Sequence, residues 1–170
     1  MKNNSFLVVL ILVLLFSINE DKIIYAKNIK GEKQIVNSSE KTIVILTNTI
    51  ECSGCESYLN SYLYNNIKSD SIDIIVITHY NSNIIVRRQK YDHFLQLFPL
   101  SNTVLFFDDN DTICDVKISS FNSSDYPVIL LINNKEDNCK LYKFNQFAIE
   151  RKGYLMYSKK FNSDFIEFQE

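Results

Sequence analysis

Glycine, proline and cysteine are scarce in this chain and tryptophan is absent: three Gly, two Pro and four Cys occur among 170 residues. Three glycines leave no G-x-G-x-x-G or Walker pattern, because a phosphate cradle needs glycines at fixed spacing where backbone meets the anion. Nucleotide binding of that kind is excluded. There is no excess of one charge either, with 18 Lys and Arg against 20 Asp and Glu and a net charge of −2. No basic stripe alternates with aromatics, so the electrostatic footprint for nucleic acid is missing. Four unevenly spaced cysteines are too few for a mini-fold stapled by disulfides. Neither His79 nor His93 has a patterned Ser or acid partner, which leaves no nucleophile–base logic to follow. The acidic run Asp108-Asp109-Asn110-Asp111 lacks the spacing and the downstream Glu of an EF-hand loop, and reads as a solvated turn.

What remains is a chain with 46% apolar and 22% charged residues, the composition of a globular domain. Its length suits one domain of ordinary size with an N-terminal extension. The extension reads as an export signal. Lys2 supplies a positive charge, and Phe6 to Ile18 is apolar apart from Ser17. Thirteen residues rise about 20 Å as a helix, short of the roughly 30 Å hydrocarbon core. That length fits a signal-peptide apolar region. The polar break comes at Asn19-Glu20-Asp21, and Ala26 offers a small residue for cleavage after Tyr25-Ala26, although Ile24 at the −3 position is bulkier than the usual small residue. Retention as a membrane anchor is the other reading. The expected division is residues 1–26 as signal or anchor, 27–40 as linker and 41–170 as the folded domain.

The most informative stretch is Cys52-Ser53-Gly54-Cys55. It lies between an apolar β-branched run, Lys41 to Thr47, and a segment with helical spacing that begins at Glu56. At a strand-to-helix turn, unpaired N–H groups and the helix macrodipole favour a thiolate over a thiol. Such a thiolate attacks disulfides, and a second thiol two residues away resolves the mixed disulfide. Cys52 at the helix start is the expected nucleophile. Cys55, one turn in and on the buried face, is the expected resolver. Glu51 opposes the helix effect, because a carboxylate beside Cys52 raises the thiol pKa. A less stabilised thiolate makes a more reducing dithiol, which favours reductase over oxidase chemistry.

The rest of the pattern is α/β. Lys41–Thr47 and Ile72–Thr78 are apolar on both faces and predict central strands around a helix, the βαβ unit of a parallel sheet with right-handed crossover. Cys55, Leu59, Tyr62, Leu63 and Ile67 give that helix its buried face. Asn83 to Phe98 predicts a second helix stopped by Pro99, with Phe94 and Phe98 packed and Arg87-Arg88 solvated. A short strand is expected at Gln34 to Val36 within the linker. Val104–Phe107 predicts a strand, and Ile113 to Ile118 has strand character. Val128–Asn133 and Lys140–Phe144 predict a hairpin, and the tail from Gln146 at least one docked helix or edge strand.

A strand–CxxC–helix followed by Asp125-Tyr126-Pro127 and the apolar strand Val128 to Asn133 resembles the thioredoxin family. The likeness runs from about Lys41 to Phe144. It is strongest to exported, membrane-associated bacterial members with extra structure between the central helix and the proline. The resemblance implies a three-layer fold: a central mixed sheet with flanking helices. It also implies a cis peptide before Pro127 facing the dithiol, with Tyr126 beside it as a backbone partner for substrate. Two family features are missing. Glu51 stands where tryptophan usually precedes the first Cys, with Ser53 and Gly54 inside the motif, and Thr42–Thr47 contains no buried acid.

The expected activity is exported thiol–disulfide exchange on protein disulfides, with a separate redox partner and no cofactor, in the cell envelope or periplasm. Membrane association would run through Phe6–Ile18. A thioredoxin-fold binding module whose CxxC is a static bridge is the alternative. Cys114 and Cys139 are left open between a second disulfide and idle thiols. A four-cysteine zinc site lacks a second close-spaced pair.

Overall fold

The computed structural model describes residues 24–37, 39–48, 53–69, 71–108, 110–151 and 154–170. The expected signal segment up to residue 23, together with Glu51 and Cys52, lies outside the described residues. Three short β-strands open the chain: β1 (Tyr25–Lys27), β2 (Lys33–Ile35) and β3 (Lys41–Thr47). Helix α1 (Ser53–Asn66), β4 (Ile72–His79), α2 (Ile84–Leu97) and β5 (Thr103–Phe107) follow. Two-residue strands β6 (Thr112–Ile113) and β7 (Val116–Lys117) precede 3-10 turns at 118–120 and 123–125. The chain finishes with β8 (Val128–Asn133), β9 (Asn138–Tyr142), α3 (Phe144–Phe147), β10 (Ala148–Arg151), β11 (Tyr154–Tyr157) and α4 (Lys159–Gln169).

Seven strands form one mixed sheet in the order β2-β1-β5-β4-β3-β8-β9. The β-branched run Lys41–Thr47 is buried over all but its first residue, so β3 belongs at the centre. It pairs in parallel with β4 and antiparallel with β8. Strands β3, β4 and β5 step in one direction across the sheet. Two right-handed crossovers in the same direction must put α1 and α2 on the same face. Helix α4 joins them, and the shared core holds Leu59, Leu63, Phe94, Phe98, Phe161 and Phe165 over Ile43, Ile45, Ile74 and Val76. Against the opposite face the layer is largely irregular: Ile113, Ile118 and Tyr126 cover Val44, Leu46, Ile77 and Leu130.

The short elements have local causes. The Asn83 side chain accepts the Ile85 amide proton at 2.9 Å and caps α2, and Ser158 accepts that of Phe161 at 3.1 Å to cap α4. Phe161 is fully buried and touches the rings of Tyr62, Tyr142, Phe147 and Phe165. Removal of such a side chain costs about 3–5 kcal/mol.

Three expectations are corrected. Residues 27–40 are not a bare linker with one strand: β1 and β2 form a hairpin that extends the sheet from β5. Ile24, Ala26 and Val36 anchor it by burial, so a cut after Ala26 would fall inside β1. Arg87 is not solvated but 5% exposed. Its guanidinium donates to the carbonyls of Ile29, Asn81 and Ser82 and lies 4.8 Å from the centre of the Tyr80 ring. Backbone carbonyls replace water around its charge, which is why it tolerates burial. The hairpin after β8 starts at Asn138 and ends at Tyr142, earlier than the sequence pattern suggests, because Asp137 completes the turn with φ +48°.

Candidate functional site

The C-terminal edge of β3 builds the site. β3 ends at Thr47 and the helix begins at Ser53, so Ser53, Gly54 and Cys55 of the C-x-x-C motif lie in the first turn of α1. Cys55 lies in the first turn of α1, partly buried and disulfide-bonded. Gly54 is exposed, and a Cβ placed there would meet nothing within 4 Å.

Pro127 reaches the same edge from the other strand. Leu46 pairs with Val128 in the β3–β8 ladder, so the next position along each strand is Thr47 and Pro127. The Tyr126–Pro127 peptide is cis. Tyr126 is buried, its ring edge-on to Phe121, and its amide donates back to Ser123 O at 3.4 Å. Asp125 holds this turn. Its carboxylate accepts the Asn122 amide at 2.9 Å and the Lys143 ammonium at 2.9 Å. Burial works to raise its pKa, but those two partners outweigh burial and hold it below the usual carboxylate range.

The residue that sequence reasoning missed is Glu56. It follows Cys55 directly, is only 2% exposed, and accepts a hydrogen bond from the Thr47 hydroxyl. Its second oxygen, Oε2, is buried with no hydrogen-bond partner. Desolvation pushes its pKa up to about 7, with the Thr47 hydroxyl pulling the other way. Near neutrality this carboxyl is thus shared between its acid and its ionised form. The signal was available: Glu56, Leu59 and Leu63 recur at helical spacing, which puts Glu56 on the buried stripe. Strand β3 contains no acid, but a buried acid reaches the site from the helix.

The other candidates lie apart. His79 ends β4 with its Nδ1 2.7 Å from Tyr80 O and its ring edge against Phe107. His93 lies on α2 beside Phe94, with a buried Nε2 that has no hydrogen-bond partner. Cys114, in the β6–β7 turn, is bonded to Cys139 on β9. That bond takes both sulfurs out of any metal-ligand set. The side chain of Ser53 lies outside the described residues.

Comparison with solved structures decides the architecture. A secreted Mycobacterium tuberculosis disulfide oxidoreductase homologous to E. coli DsbE aligns over 88% of this chain and 98% of its own, with a TM-score of 0.50 and 12% identity. The thioredoxin domain of a thiol–disulfide oxidoreductase from Bacteroides vulgatus aligns over 91% and 100%, with a TM-score of 0.50 and 12% identity. The fold is thioredoxin-like. No family model matches the sequence. No curated protein matches it either. In this thioredoxin-like frame Thr47, at the end of β3, and Pro127, just before β8, lie at the same end of the sheet, and Glu56 is bonded to Thr47. A tyrosine pair supports the helix from below: Tyr157 stacks on Tyr58 at 4.4 Å between ring centroids and donates its hydroxyl to Tyr58 O at 2.9 Å. Among the described residues, no helix is long and apolar enough to cross a membrane.

Proposed function

We propose that the protein is an exported thiol–disulfide oxidoreductase that works on protein disulfides in the reducing direction. The observation that carries this reading is the disulfide-bonded Cys55 in the first turn of α1, the helix that follows β3, at whose end Thr47 and Pro127 take the next positions along the β3–β8 ladder. With Cys114 and Cys139 joined to each other, Cys52 is the remaining cysteine of the four and the proposed partner of Cys55.

In the reduced protein the Cys52 thiolate attacks one sulfur of a substrate disulfide and expels the other as a thiolate. Cys55 gives up its proton and attacks Cys52 Sγ, which closes the Cys52–Cys55 bond and releases the second substrate thiolate. Two electrons pass from the dithiol to the substrate, and a separate dithiol reductant restores the protein. Glu56, adjacent in sequence to Cys55 and poised near neutrality, is the proposed acceptor of the Cys55 proton. Tyr126 and Pro127 border the substrate on the other side, with Glu51, Ser53 and Gly54 setting the motif's chemistry and access. Export follows from the apolar run Phe6–Ile18, which acts as a cleaved signal or an anchor.

The test is partial alkylation after mild reduction, mapped by mass spectrometry, together with trapping by a Cys55→Ser variant. The reading expects Cys52 to label first and the variant to accumulate mixed disulfides with envelope proteins. Labelling of Cys55 first overturns the assignment of roles. Absence of any trapped partner, with a CxxC bridge that resists dithiol reductants, would favour the static-bridge module.

A further inference from the structure

Among the described residues, the buried polar atoms without a hydrogen-bond partner include Glu56 Oε2 and Thr78 Oγ1. A polar group buried in that way loses its hydration with nothing in return, so each one needs a reason. For these two the sheet register supplies it.

Thr78 is the ladder partner of Thr47 in the parallel β3–β4 pair. Opposed residues of neighbouring parallel strands point to the same face, and the strands run about 5 Å apart. Ile43 and Ile45 on β3, with Ile74 and Val76 on β4, mark the face that lies under the helices. Thr47 and Thr78 continue these two alternations, and both are buried. Thr47 meets the Glu56 carboxyl in that layer. The other ladder neighbour of Thr78 is Phe106, whose side chain has no polar atom. An unused hydroxyl therefore stands one strand away from the hydroxyl that already holds Glu56, and Glu56 has one oxygen to spare.

The chemistry of the two groups is complementary. An ionised carboxylate only accepts, and a threonine hydroxyl can donate. Asn60, one turn along α1, also has a buried oxygen without a partner, but an amide oxygen accepts and cannot serve the ionised acid. Charged and titratable groups on the surrounding elements are Lys90 and His93 on α2, Tyr58 on α1, Tyr157 on β11, and Asp125 before Pro127. Lys90 turns to His79 O at 3.4 Å, and Asp125 is paired with Lys143. None of them displaces the Glu56 pKa, which answers to burial and to Thr47.

We propose that Thr78 is a positioning residue for Glu56: its hydroxyl donates to Oε2 of the ionised carboxylate, by side-chain rotation or through one shared water. Thr47 then holds one carboxyl oxygen and Thr78 the other, and together they favour the form of Glu56 that can take up a proton. The consequence for turnover rests on the function proposed above. In the resolving step the Cys55 proton passes to Glu56, the Cys55 sulfur bonds Cys52 Sγ, and the substrate sulfur leaves as a thiolate. A Glu56 that is less ionised at neutral pH slows this step.

The test follows the Glu56 carboxyl carbon by NMR in the full-length oxidised protein, where the thiols of the motif do not titrate. Glu56→Gln identifies the signal. Thr78→Val keeps the shape of the side chain and removes the hydroxyl. It should raise the titration midpoint by about one pH unit, the worth of a hydrogen bond to a charged group. Thr78→Ser retains the donor and should leave the midpoint where it is in the unaltered protein. Thr78→Ala repeats the measurement with less bulk if Val disturbs the packing. A midpoint that is unmoved or lowered when the hydroxyl is removed, or that Ser fails to preserve, overturns the proposal. Turnover is read separately, as release of nitrothiobenzoate from its mixed disulfide with Cys52. At about pH 7 Thr78→Val should slow release about fivefold, and the rate should recover by about pH 9. A raised midpoint with release unchanged would leave Thr78 in its role and sink Glu56 as the proton acceptor.

Discussion

The hydroxyl of Thr47, last residue of β3, donates to the carboxylate of Glu56, one turn into α1, across the segment that carries the C-x-x-C motif. Strand and helix are thus joined by a group whose pKa burial pushes up to about 7.

Stability should report that charge. The folded-state pKa of Glu56 is raised to about 7 from an ordinary 4.5. Between those values the folded state therefore holds the proton more tightly than the unfolded chain. The contribution of Glu56 to stability should be full below about pH 4.5 and be lost as pH rises through about 7, by about 3 kcal/mol in all. Glu56→Gln should flatten this slope. Urea melts at pH 5 and pH 8 on both proteins check the prediction, and equal slopes would refute it.

The Cys114–Cys139 bond closes a loop with a sequence separation of 25. Loss of such a cross-link frees the unfolded chain by about 3 kcal/mol. The double variant Cys114→Ser, Cys139→Ser should therefore melt at lower denaturant, yet keep the alkylation order at the CxxC motif. A loss of both together would show that the loop is required for the site.

A protein that starts at Lys27 should be less stable than one that starts at Ile24. The shorter form lacks the burial of Ile24, the bond from Val36 N–H to Ile24 O at 2.8 Å and the bond from Ile24 N–H to Asn37 at 2.8 Å. The expected cost is about 3 kcal/mol. Under the proposed export with cleavage, N-terminal sequencing of the mature protein should accordingly find a start at or before Ile24, and a start at Lys27 would contradict it.

Arg87→Ala should leave the carbonyls of Ile29, Asn81 and Ser82 without their shared donor. A loss of about 3 kcal/mol is expected, with little rescue in Arg87→Lys, because an ammonium lacks the planar fork that reaches three oxygens. Thermal melts of the two variants settle it.

The central architecture was legible because strands buried on both faces announce themselves. Lys41–Thr47 is the observed β3 to the residue. Helix α2 was legible from Asn83, which caps it, and from Pro99, which follows its end. Of the N-terminal hairpin only β2 was, as a short strand near Gln34 to Val36; β1 is three residues long and owes its conformation to ladder bonds with β2 and β5 rather than to its own pattern. Arg87 misled because a long cationic side chain is usually solvated, and only tertiary placement brings three carbonyls around it. Glu56 misled for the opposite reason: its helical position was readable, but a charged residue on an apolar stripe is easily taken as surface. The β10–β11 hairpin hid in a tail whose aromatic and charged residues fit several elements equally well.

Electron counting is where the second disulfide will matter most. Cys55 is bonded and so are Cys114 and Cys139, so a reductant added to this protein meets two bonds, of which the proposed function gives only the first a catalytic role. A titration that counts only total thiols merges the potential of the proposed working couple with that of the Cys114–Cys139 brace. The brace fastens the loop that leads to Pro127, so drawing it into the reaction would also release one wall of the site. Any potential assigned to the motif therefore needs the two bonds to be followed separately, cysteine by cysteine.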